Sequence, residues 1–151
     1  LVYAYFPDQY ALANAMLARR LGELVAAGIA QAVDQHDFVA AANACADLYF
    51  AHVARTGPVL HILLRDPFMA GRLDADALRL RDRLSLRLAR AARRALRLNA
   101  KAAVTALSLM TTIPEEAGRL TFAGDLTPER GRELNARLIA AALQSLRPAT
   151  A

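Results

Sequence analysis

From Leu73 to Leu98 the chain carries Leu73, Ala77, Leu80, Leu84, Leu88, Ala91, Ala95 and Leu98 at intervals of three or four residues. That interval puts all of them on one stripe of an α-helix, and a strand, whose side chains alternate between two faces, cannot reproduce it. Similar spacing runs almost from end to end, with no convincing alternating stretch, so the expected class is all-α. Hydrophobic residues are 56% of the 151, yet aromatics are only 6% and Trp is absent. The apolar content is therefore mostly Ala and Leu, good helix formers that let helices pack closely. A chain of this length can bury one continuous core. So much apolar surface also predicts a partner subunit covering part of it.

Breaks in the pattern set the expected elements. A first segment, Leu1 to Phe6, should end at Pro7, which then opens the next helix from a first-turn position, followed by Asp8. That helix carries Leu12, Met16, Leu17, Leu21, Leu24 and Val25 and should run to about Gly28 or a few residues beyond. Asp37 caps the next, whose stripe is Phe38, Ala42, Cys45, Tyr49 and His52, and Thr56-Gly57-Pro58 ends it. A short helix, Val59 to Leu64, precedes the break at Arg65-Asp66-Pro67. After the long stripe Asn99 marks a break, and a helix through Val104, Leu107 and Met110 should kink or stop at Pro114. A loop from Gly118 to Leu126 leads to the last helix, opened by Thr127, Pro128 and Glu129 and ended by Pro148. Its broad apolar face is Leu134, Leu138, Ile139, Ala142, Leu143 and Leu146.

Charge and motifs exclude more than they assign. The net charge of +5 and pI of about 10.1 come almost wholly from arginine, Lys101 being the one lysine, and such charge names no partner. Arg79, Arg81, Arg83, Arg87, Arg90, Arg93, Arg94 and Arg97 crowd the back of the long stripe. A nucleic-acid or anionic-membrane surface is one reading, but the admixture of Asp74, Asp76 and Asp82 favours a solvated face. Cys45 is the single cysteine and cannot form an intrachain disulfide, which suits a reducing, cytoplasmic setting. The richest apolar stretch, Leu24 to Val33, is short and broken by Gln31, so no membrane span is expected. The opening residues lack the basic start and apolar run of a secretory signal and have no initiator Met, so the chain reads as starting in mid-motif. His36, His52 and His61 do not stand at metal-ligand spacing, Cys45 and His52 lack a third catalytic partner, and there is no glycine-rich phosphate loop. Neither metal, cofactor nor catalysis is expected.

The opening Leu1-Val2-Tyr3-Ala4-Tyr5-Phe6-Pro7-Asp8, with Ala11-Leu12 after it, resembles the junction in TetR-family transcriptional regulators where the recognition helix ends and the next helix begins. Val2, Tyr3, Tyr5, Phe6, Pro7 and Leu12 match that pattern; Gln9 and Tyr10 replace its usual Lys and acidic residue. Leu48-Tyr49-Phe50-Ala51-His52 through Gly57-Pro58-Val59-Leu60 to Leu63-Leu64 is similar to the family's pocket helix and the short helix beyond it. Ala106-Leu107-Ser108-Leu109-Met110, then Glu115-Glu116, a glycine-containing loop and a capped final helix resemble its dimerising helix pair. The resemblance implies an antiparallel helical bundle of the TetR regulatory-domain type, dimerising through its last two helices. Residues 1–6 would be the remnant of a helix-turn-helix recognition helix and 7–151 an effector-binding and dimerisation domain.

It also implies roles. Tyr3 and Tyr5 would reach operator phosphates in the intact protein, although by themselves they read equally well as an aromatic cluster covering a helix end. Cys45, Tyr49, His52, His61, Leu64, Phe68, Met69, Met110 and Thr111 would line the pocket for a small, mostly apolar effector. A core histidine and a buried tyrosine are the plainer reading of His52 and Tyr49. Leu107, Leu134, Leu138, Ala142 and Ser145 would form the homodimer interface. The alternative is a helical-bundle enzyme or cofactor-binding protein with an apolar pocket, for which a polar triad or metal converging on Tyr49 and His52 would speak. A module that only binds partners would lack a cavity.

Overall fold

A computed structural model describes residues 6–147, which form seven α-helices and one 3-10 turn, with no strand among them. In chain order the helices are α1 (Gln9–Ala26), α2 (Ile29–Val33), α3 (Phe38–Thr56), α4 (Val59–Arg65), α5 (Ala75–Leu96), α6 (Ala100–Ala123) and α7 (Pro128–Ser145); the 3-10 turn, Pro67–Met69, joins α4 to α5. Five helices open on a side-chain cap: Asp8, Asp37, Asp74, Asn99 and Thr127 accept from the backbone N–H three residues on, at 2.8 to 3.2 Å. Each such cap stabilises its helix by roughly 1 kcal/mol.

Three boundaries differ from expectation. Pro7 precedes α1 and is not in its first turn, because extended Asp8 (φ −157°, ψ 174°) takes the Ala11 N–H and makes itself the cap. Pro114 does not stop α6, which continues to Ala123 with the proline buried inside it. A proline already has helical φ and forfeits one backbone hydrogen bond, a loss that packing against α3 and α7 offsets. Gly118 is accordingly helical, and only the short stretch from Gly124 separates α6 from α7.

The central helix is α3, packed against α1, α2, α5, α6 and α7. Two apolar clusters flank it. Leu17, Leu21, Leu24, Ile29, Leu60 and Ala77 join α1, α2, α4 and the start of α5. Phe38, Ala42, Ala46, Ala92, Leu96, Ala103, Met110, Ile139 and Leu143 join α3, the end of α5, α6 and α7. As α5 passes from one cluster to the other its buried edge shifts to Ala89, Ala92 and Leu96, leaving Ala95 of the anticipated stripe exposed. Among the described residues no helix is long and apolar enough to cross a membrane.

Candidate functional site

Where the two clusters meet, they leave a cavity of about 460 Å³. Leu21, Leu24 and Ile29 form its α1 and α2 side, Leu60 and Leu64 its α4 side, Leu80, Leu84 and Leu88 its α5 side, and Met110 and Pro114 its α6 wall. Exposed Arg65, Ser85, Ser108 and Thr111 make the rim. The volume falls in the range of small-molecule sites, as does the pattern of many apolar walls with few polar groups.

The polar groups converge on one carboxylate. Glu115 of α6 keeps 15% of its side chain exposed; its Oε2 accepts from the Tyr49 hydroxyl at 3.2 Å, and its Oε1 stands 2.5 Å from His61 Nδ1. Burial, reinforced by Glu115, pushes the Tyr49 phenol well above its usual range. Burial also pushes the Cys45 thiol up to about 11, so it is protonated at neutral pH and a poor nucleophile.

Six of the sequence-derived candidates line this cavity: Cys45, Tyr49, His61, Leu64, Met110 and Thr111. Three do not. His52 stands roughly 60° around α3 from Tyr49. There it is buried to 3% exposure against α1, with Nδ1 4.0 Å from a Glu23 oxygen and neither ring nitrogen hydrogen-bonded. Burial holds its pKa below the ordinary value despite that carboxylate. Phe68 is 78% exposed, because the 3-10 turn directs it outward, whereas its neighbour Met69 is buried outside the cavity walls. Glu115 went unnoticed as a pocket residue because a helix expected to kink or stop at Pro114 does not carry the stripe on to it. One more turn beyond Thr111 would have brought it onto the same face.

Of the expected interface, Leu138 and Ser145 are exposed on α7 while Leu134 and Ala142 are half-buried. Leu107 turns inward to the cavity wall. Leu109 of α6 is 66% exposed and Leu138 51%, so the last two helices both present large apolar side chains to solvent. Tyr3 and Tyr5, and Pro148, lie outside the described residues.

Along α5, Arg79 and Arg81 pair with Asp76 and Asp82 of the same helix and Arg87 with Asp34 at the end of α2, while Arg90, Arg93, Arg94 and Arg97 surround a shallow surface depression. Loop residues also hold α1: Asn14 donates to the Arg72 carbonyl and accepts from Asp74 N–H at 2.7 Å, and the Arg72 guanidinium lies 4.2 Å from the Tyr10 ring centre. Among the described residues no group of three or more His, Cys, Asp or Glu is placed to hold a metal ion. Comparison with protein-family models, with curated proteins and with solved structures returns no match.

Proposed function

We propose that this chain is the regulatory part of a TetR-type, ligand-responsive transcriptional repressor, which binds a small, mostly apolar effector and works as a homodimer through α6 and α7. The observation that carries this reading is the place of α1 in the cavity wall. Its outer end follows the proline-cornered aromatic segment that resembles the family's DNA-reading junction, and its inner end supplies Leu21, Leu24 and Val25 to the cavity. A ligand there touches the helix that would carry the DNA-reading head. It would shift operator affinity to the extent that it binds one placement of α1 better than another.

The exposed leucines of α6 and α7 support the dimer, since burying a leucine side chain contributes about 1.5–3 kcal/mol. Two copies related by a two-fold axis would each offer the same patch, which suits a two-fold operator. Light scattering at micromolar concentration is expected to give twice the chain mass, and a monomer there overturns the dimeric reading. The residues encoded ahead of Leu1 test the DNA-binding part directly. Three short helices with a tight turn before the third are expected, and an unrelated segment overturns it.

A further inference from the structure

We infer that the effector is an amphipathic organic cation, an apolar body carrying a protonated amine that docks on Glu115. This rests on the cavity reading above and deepens it.

The chain is rich in arginine, and its other paired glutamates use it: Glu23 is held by Arg19, Arg20 and Arg55, Glu116 by Arg119, and Glu133 by Arg130 and Arg137. Glu115 is different. Among the described residues its partners are Tyr49 and His61, with no guanidinium within ion-pair distance. The basic group beside it is the His61 imidazole, which carries a positive charge only when protonated, and the rest of the cavity wall is mostly leucine, methionine and proline. The Glu115 carboxylate offers about four acceptor directions, of which Tyr49 and His61 use two, so about two remain for a ligand. An ammonium supplies a permanent positive charge and several N–H donors to those free acceptor positions, while the leucine walls take its apolar body.

Arg65 and Arg81 also line the cavity and would favour an anion. Arg65 is exposed at the rim, where solvent screens it, and Arg81 is already paired with Asp82. Glu115 is the least exposed of these charges and the one carboxylate among the cavity-lining residues, and it selects the ligand.

Three probes of one shape, phenylbutylammonium, phenylbutanol and phenylbutyrate, separate the possibilities by isothermal titration calorimetry on the whole chain. The ammonium is expected to bind tightest, by about tenfold over the alcohol, the gain of a charge-assisted hydrogen bond over a neutral one. Glu115→Gln, close in shape to the native side chain, should erase that preference while leaving phenylbutanol binding within about threefold. Equal affinity for ammonium and alcohol, or tightest binding of phenylbutyrate, overturns the cation and leaves the effector cavity standing. No binding of any probe overturns the cavity reading and the cation with it. A preference that survives Glu115→Gln places the cation on some other group and overturns the assignment to Glu115.

Discussion

Glu115 on α6 and His52 on α3 are both polar side chains largely withdrawn from solvent, yet they face opposite conditions. Glu115 looks into a space large enough for a ligand, and its neighbours Tyr49 and His61 are donors. His52 is sealed between α1 and α3 with both nitrogens unpartnered, facing Glu23 and Arg20 of α1 and Arg55 of its own helix. Burial outweighs the Glu23 carboxylate and keeps the imidazole neutral below its ordinary value of 6.5. In acid the unfolded chain therefore takes up a proton at His52 that the folded chain refuses, so this site loses stability as pH falls below 6.5. Urea melts between about pH 7 and pH 5 should show stability declining, with a shallower decline in His52→Leu. An unchanged slope in that variant would remove His52 from the account.

At the scale of the element, small residues set how near α6 can come to its neighbours. A Cβ on Gly118 would lie 2.6 Å from Val53 Cβ and 3.1 Å from the Ala54 nitrogen, and Val53 is buried and β-branched, so it cannot swing away. A Cβ on Gly131 of α7 would overlap Thr121 Oγ1 and lie 3.0 Å from Phe50. Gly118→Ala is expected to destabilise by about 1–3 kcal/mol, through overpacking at the crossing of α3 and α6. Gly22→Ala should act the other way by about 0.5–1 kcal/mol, since Gly22 is mid-helix in α1 with nothing within 4 Å of the added methyl. Thermal melts of the two variants should move in opposite directions; a shift of the same sign would show that helix propensity, and not the crossing, governs Gly118.

For the whole molecule, the division into two apolar clusters is what leaves room for a cavity, and the same division puts α1 on one side and α6 with α7 on the other. In the proposed repressor, a signal passing from ligand to a DNA-reading head would need only the first side, and a dimer contact only the second. Leu138→Arg is the sharper probe of that contact. Leu138 is exposed, so the monomer should fold unchanged, and light scattering should report half the wild-type mass. Ala142→Arg is less clean because Ala142 packs partly against the core. A Leu138→Arg protein that keeps the wild-type mass would move the interface elsewhere.

Local rules were enough for much of this protein. Apolar spacing made every long helix visible, and Asp37 and Thr127, each able to satisfy a free backbone N–H, marked where helices begin, while Asn99, read as a break, proves to be the cap of α6. The pocket faces of Tyr49 and Cys45 followed from their common stripe, since neighbours on a helix face stay neighbours whatever surrounds them. Contacts between segments far apart in the chain decided the rest. They carried α6 through Pro114, turned His52 to α1 and Leu107 to the interior, and brought Glu115 to Tyr49 across 66 residues. Periodicity specifies which side of a helix is apolar; which neighbour that side meets, and whether a gap remains between them, depends on how all seven helices pack at once.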